Sequence, residues 1–296
     1  MNVGPPGAVV RVGPAGWSYD DWAGPVYPAP RPRGFDPLLY LARYVDTVEV
    51  NSTFYRPASA SAARGWLSRV GDNPHFRFTA KLWQRFTHEQ TAGAWTAGDV
   101  REARPAFDTL AAGDRLGAVL VQFPWRFKRT PEAREWLGEV VRDFADLPLV
   151  VEMRHDSWLV PAFFDSLAER NVGFVNIDQP LFRRSVQPSA TTTARVGYVR
   201  MHGRNAKDWF RQDASVNERY DYLYSAEELA PWVARTRDLA REAAEIYVVA
   251  NNHYRGQAMA NVVMTRSLLA GEPAPAPPQL IAAYADVLAP FAYAAG

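Results

Sequence analysis

Eight short apolar, β-branched runs recur along this chain, most of them followed by a turn and a stretch of helical periodicity. They fall at residues 8–17, 45–51, 76–81, 116–123, 148–154, 172–178, 195–202 and 245–252. Strands that alternate with helices demand a parallel sheet, because a parallel connection needs a crossover about as long as a helix. Right-handed crossovers repeated eight times close such a sheet on itself. The expected fold class is therefore α/β, a single-domain (β/α)8 TIM barrel with sequential parallel strands. It should occupy 9–270, with a Pro-rich linker and a short C-terminal helix packed on the barrel over 271–296.

Local signals support the count. Asp36-Pro37 and Thr130-Pro131 read as helix starts, and Ser225-Ala-Glu-Glu228 is a capping box. Ala133, Trp136, Leu137, Val140, Val141 and Phe144 form an apolar stripe at helical spacing. Gly271 should stop the last long helix. The sixth unit is the exception, since residues 179–194 read as loop.

Composition narrows the class. A chain of 296 residues suits one large α/β barrel or two ordinary domains. Its 33 basic residues against 32 acidic ones argue against a polybasic nucleic-acid coat, while leaving room for a local basic cleft. Without cysteine there is neither disulfide nor thiolate metal site. No apolar run approaches the ~20 residues of a membrane span, and Met1-Asn-Val-Gly lacks the basic and apolar regions of a signal peptide. The expectation is a soluble, cytoplasmic protein with no membrane association; nothing points to an oligomeric state.

The site follows from strand alternation. Thr47, Glu49 and Asn51 share a face, as do Val150, Glu152 and Arg154, and Tyr198, Arg200 and His202. Barrel sites lie at the C-terminal mouth, whereas interior layers prefer branched apolar side chains. The strand ends here supply Trp17, Glu49, Asn51, Lys81, Gln122, Glu152, Arg154, Asp178, Arg200, His202 and Asn251. Such a crowd of polar groups on one rim reads as a site. Lys81, Arg154 and Arg200 suit an anion, a guanidinium offering a planar fork and an ammonium a point charge. The blander alternative has both arginines merely neutralising Glu49, Glu152 and Asp178.

The motifs also resemble a known family. Gly16-Trp17 with Tyr19 and Trp22, Val48-Glu-Val-Asn-Ser-Thr-Phe-Tyr-Arg56, Phe78-Thr-Ala-Lys81, Thr87-His-Glu89 and Leu120-Val-Gln-Phe-Pro124 are similar to the YecE-like "domain of unknown function 72" family. So are Val151-Glu-Met-Arg-His-Asp-Ser-Trp158, Arg200-Met-His-Gly203 and Asn251-Asn-His-Tyr254. Pro14-Ala15 and Ala250 depart from that pattern without removing a charged group. The resemblance implies a TIM barrel and no particular reaction.

The combined expectation is an enzyme, of hydrolase or isomerase type, acting on a small oxygen-rich anion such as a sugar phosphate, a sugar acid or a nucleotide fragment. Glu49 or Glu152 would be general base and His202 or His88 acid. Trp17, Tyr19, Asn51, Lys81, Gln122, Arg154, Asp178, Arg200, Asn251 and Asn252 would bind substrate. No cofactor and no metal are expected, because three cations on the rim oppose a divalent ion. The competing readings are a metal-dependent hydrolase or isomerase using Glu49, Glu152, Asp178 and His202, a glycosidase using the two glutamates, and a barrel that binds a ligand or partner without catalysis. A functional rather than structural Glu152–Arg154 pair would let Glu152→Gln and Arg154→Met leave stability nearly unchanged.

Overall fold

All eight runs become parallel strands: β1 (Val9–Pro14), β2 (Thr47–Val50), β3 (Arg77–Lys81), β4 (Leu116–Gln122), β5 (Leu149–Glu152), β6 (Gly173–Asp178), β7 (Val196–Met201) and β8 (Glu245–Ala250). The computed structural model describes residues 7–90, 93–207, 211, 213 and 216–295; residues 1–6 and Trp209 lie outside the described residues. Hydrogen-bonded order is β1-β8-β7-β6-β5-β4-β3-β2. Across the remaining seam, the Gly16 N–H donates to the Glu49 carbonyl at 2.8 Å and Ala15 bridges Glu49. The result is a nearly closed (β/α)8 barrel. Gly13 permits the seam, since a Cβ there would stand 1.9 Å from the Thr47 carbonyl oxygen.

The helices are α1 (Pro37–Leu41), α2 (Ser52–Tyr55), α3 (Ala60–Arg69), α4 (Ala97–Ala103), α5 (Pro105–Ala112), α6 (Pro131–Asp143), α7 (Pro161–Ala168), α8 (Val216–Arg219), α9 (Ala226–Leu239), α10 (Gln257–Ala270), α11 (Pro278–Ala283) and α12 (Ala285–Leu288). Their ends obey local chemistry. The Asp36 carboxylate accepts from the Leu38 and Leu39 N–H groups, and Ser225 with Glu228 forms the full capping box. Gly271, at φ 77°, terminates α10. Residues 97–112 fold as two helices, α4 and α5, instead of one. Pro105 lacks an N–H for the preceding turn and starts α5 instead.

Between β6 and β7 an extended strap replaces a helix. It satisfies the outer face of β6 directly: Ser189 and the Thr191 N–H donate to Asn176 Oδ1, and Thr193 Oγ1 accepts from the Phe174 N–H. A buried asparagine on that face calls for polar partners that an apolar helix stripe would not supply.

The C-terminal segment departs from a stiff linker. Ala274–Ala276 pairs in parallel with Ala292–Ala294, and α11 and α12 lie between them. Ala274, Ala276, Leu280 and Leu288 are buried, so this stretch packs rather than spans. Among the described residues, no helix is long and apolar enough to cross a membrane.

The barrel interior corrects the expectation of branched apolar layers. Thr79 meets Tyr198 hydroxyl to hydroxyl at 2.8 Å across the lumen, and Arg11 pairs with Glu245 at 2.7 Å. At the β3–β4 register shift, Gly117 leaves room for Tyr247, whose hydroxyl would lie 2.2 Å from a Cβ.

Gly13→Ala should therefore force β1 away from β2 and cost roughly 2–3 kcal/mol, the scale of overpacking a tight site. Urea denaturation midpoints check this; an unshifted midpoint would mean the seam is loose.

Candidate active site at the barrel mouth

Strand alternation aims Glu49, Glu152, Arg200 and Tyr198 into the lumen, where they form one network. Arg200 donates through Nε and Nη2 to the two oxygens of Glu49, at 3.0 and 2.6 Å, and through Nη1 to Glu152 at 2.9 Å. The Tyr198 hydroxyl donates to Glu49 at 2.9 Å. Arg154, two residues beyond Glu152 on the same face, brings Nε to 2.5 Å from Glu152 Oε1 as an ion pair without hydrogen-bond alignment. It also donates to Gln179 at 2.6 Å. Glu49 and Glu152 are 0% exposed and Arg200 2%, so the charges are compensated inside the protein rather than by water.

This arrangement sets the protonation states. Burial alone would push the Glu152 carboxyl up, but Arg154 and Arg200 outweigh it and hold the group well below the usual carboxylate range. The same carboxylates outweigh the burial of Arg200 and keep it firmly charged. His202 has Nε2 3.0 Å from an Arg154 nitrogen and Nδ1 3.1 Å from the Asn251 amide. Burial and then Arg154 push it down to about 3, so its ring is neutral. Burial and Lys81 push His88 down to about 4. Lys81 is lowered to about 7, first by burial and then by Arg200, with Glu49 and Glu152 opposing.

Above the network opens a cavity of about 330 Å³, lined by Lys81, Arg154, Arg200, Asn51, Gln122, Asn251, Tyr19, Tyr220, His253, Phe54 and Tyr55. A neighbouring space of about 240 Å³ shares Gln122, Arg154 and Tyr220 and adds His88, Gln179 and Ser185. Among the described residues, no aspartate or glutamate lines either one. Lys81 Nζ donates to Gln122 Oε1 at 3.0 Å and sits 4.0 Å from the Phe54 ring centroid. A larger cleft of about 670 Å³, bordered by Leu39, Tyr40 and Asn73, lies apart from the strand ends. Its Asp36 and Arg69 pair with each other at 2.7 Å.

Of the residues expected at the site, Tyr19, Asn51, Lys81, Gln122, Arg154, Arg200 and Asn251 converge on the first cavity and His88 on the second. Glu49, Glu152 and His202 lie beneath, facing the arginines. Three others reach neither the lining nor the network beneath it. Trp17 packs edge-on against Trp66, with ring centroids 6.0 Å apart. Asp178 points outward and accepts from Arg204 Nε at 2.9 Å. Asn252 donates to the Tyr222 carbonyl and to Asn261. Sequence reasoning missed Gln179, Ser185 and Tyr220. Gln179 was available from alternation, because Val175, Ile177 and Gln179 share the inner face of β6. His253, part of the Asn251–Tyr254 motif, also lines the first cavity and stacks on Tyr19, ring centroids 4.4 Å apart.

The four-ligand metal alternative finds no common point. Glu49 and Glu152 spend their oxygens on guanidinium groups, and Asp178 faces away. Among the described residues, no group of three or more histidines and carboxylates is arranged to hold an ion. The two carboxylates of the glycosidase alternative are both hydrogen-bond partners of Arg200, and neither lines the cavity.

These features define a (β/α)8 barrel whose mouth is lined by cations and amides over a buried ion-pair network. The family model described as "Protein of unknown function DUF72" matches residues 11–281, and the chain belongs to that family. The UPF0759 protein YunF of Bacillus subtilis (strain 168) is 26% identical over 266 residues, 86% of this chain and 92% of that protein. A DUF72 family crystal structure from Thermotoga maritima is 32% identical, with a TM-score of 0.76 over 88% of this chain and 99% of that one. Another, from Enterococcus faecalis V583, is 25% identical, with a TM-score of 0.77 over 88% of this chain and 96% of that one.

Full burial revises the expectation that Glu152→Gln would be nearly neutral. Arg200→Met should cost about 3–5 kcal/mol, because it strands two buried carboxylates, and Glu152→Gln should also destabilise. Lys81→Met should do the opposite. At neutral pH the unfolded chain holds a proton on Lys81 more tightly than the folded one, so wild-type stability climbs as pH rises from about 7 towards the ordinary lysine range. The variant should be more stable near neutrality, by about 1–3 kcal/mol, and its advantage should shrink across that window. Denaturant unfolding at a series of pH values reads both effects; a Lys81→Met difference that stays flat with pH would contradict the depressed lysine.

Proposed function

We propose that this protein is an enzyme that binds a small oxygen-rich anion at the barrel mouth, a sugar phosphate, a sugar acid or a nucleotide fragment. One observation carries the reading: the cavities present Lys81, Arg154 and Arg200 to their contents, with the compensating carboxylates behind and, among the described residues, no acidic side chain on the walls. A bound anion meets cations already held in place, which lowers the ordering cost of binding. The amides of Asn51, Gln122 and Asn251 supply donors and acceptors for hydroxyl groups, and the Tyr19, Phe54 and Tyr220 rings supply flat apolar faces.

The chemical roles differ from those read off the sequence. Glu152, held ionised by two arginines and facing away from the cavity, is a poor proton acceptor. Neutral His202 and His88 have no proton of the right acidity to give near pH 7. Lys81 is the lining group that exchanges a proton near neutrality, and it takes the acid–base role. The glutamates position the arginines.

Sulfate titrated calorimetrically should bind wild-type protein and lose affinity as pH rises above about 7, by up to about tenfold per pH unit as Lys81 loses its proton. Arg154→Met should weaken binding about tenfold or more at neutral pH, as loss of a charge-assisted contact does. Sulfate affinity equal in wild type and Arg154→Met would remove the anion site from the mouth.

A further inference from the structure

We propose that Lys81 is a covalent nucleophile whose Nζ adds to the carbonyl carbon of an anionic aldehyde or ketone and converts it to an iminium. The proposal deepens the anion-site reading above and rests on it.

The pattern of basic residues is the first support. Only Lys81, Lys128 and Lys207 of the 33 basic residues are lysines. Lys128 and Lys207 are exposed. Where the barrel holds a permanent cation against a carboxylate it uses arginine, as at Arg11, Arg154, Arg200 and Arg204. Arginine stays charged at any ordinary pH, and a lysine amine does not.

The surroundings of Nζ are the second support. It rests on two uncharged groups, the Gln122 amide oxygen and the Phe54 ring. Among the described residues, no carboxylate lies within ion-pair distance of it, although Arg154 and Arg200 line the same cavity. A desolvated amine beside fixed cations gives up its proton readily, which exposes the lone pair that a nucleophile needs. The lowering of Lys81 to about 7 follows from the same geometry.

The two adjoining cavities that share Arg154 are the third. Arg154 stands in the lining of both, so a substrate anchored there by its phosphate or carboxylate has room to extend toward Lys81. In the step itself, the Nζ lone pair forms a bond to the carbonyl carbon while the C=O π pair moves to oxygen. Nitrogen loses a proton and oxygen gains one, giving a carbinolamine. That hydroxyl then leaves as water, taking one proton from solvent, and the nitrogen lone pair closes the C=N⁺ bond. Nothing is oxidised or reduced. The iminium draws electrons from the adjacent carbon and so labilises a neighbouring C–H or C–C bond, which suits an isomerase or a carbon–carbon lyase.

Sodium borohydride with pyruvate, and separately with dihydroxyacetone phosphate, tests the step near neutral pH, because hydride reduction turns an iminium into a permanent secondary amine. Peptide mapping of wild-type protein should place the adduct on Lys81 at least about tenfold above the exposed Lys128 and Lys207. The α-amino group is resolved as its own peptide. The preference should vanish in guanidinium-unfolded protein, and Lys81→Met should show no lumen adduct while remaining folded. Absence of an adduct on Lys81 with both probes, or equal labelling of all three lysines in the folded state, overturns the proposal. Sulfate binding measured on the same sample separates the two readings. Binding without trapping removes the covalent step alone, and loss of both removes the anion site with it.

Discussion

The guanidinium of Arg200 is the contact on which the site depends. It reaches from β7 to the carboxylates of β2 and β5 inside a lumen that excludes water; Tyr198 adds a hydrogen bond to Glu49 and Arg154 an ion pair to Glu152. Ions buried in this way gain little net stability over an apolar core, yet removing one partner is expensive. Their effect is to fix geometry and potential. The negative groups are drawn down toward the arginines, and the positive groups face upward into the cavity. Lys81 feels both the missing water and the nearby guanidinium groups, and so its ammonium is weakened.

Much of this was legible in the sequence, because two periodicities suffice for a barrel. Strand alternation alone placed Glu49 with Asn51, Glu152 with Arg154, and Arg200 with His202 on inward faces. What failed had identifiable causes. Asp178 attracted attention through its charge, although alternation along Val175 and Ile177 points Gln179 inward and sends Asp178 out to Arg204. Trp17 and Asn252 sit at strand ends but beyond the regular strand, where alternation no longer dictates direction. Tyr220 comes from a long insertion with no periodicity to place it. The polar interior was hidden as well: single-strand patterns show which residues share a face, but not that Thr79 and Tyr198, 119 positions apart, meet across the lumen.

Membership of the DUF72 family supplies the fold and leaves chemistry to the site, since one barrel supports many reactions. Here the site argues by subtraction. Glu152 is held ionised, Glu49 is committed to Arg200 and Tyr198, neither lines the cavity, and burial pushes His202, His88 and the cavity-lining His253 down. Lys81 is left as the cavity-lining group whose charge changes near neutral pH. A binding-only barrel would have little need for it, since a third arginine would hold an anion without a proton equilibrium.

The most direct test of this account is the Lys81 titration itself, followed by NMR through its ε-carbon shift, with Lys128 and Lys207 as internal references. The account predicts an inflection near pH 7 for Lys81, well below the ordinary lysine range of about 10.4. An inflection for Lys81 in that ordinary range would contradict it. Such a lysine would be one more permanent cation on the rim, and both its acid–base role and its nucleophilicity would fall together.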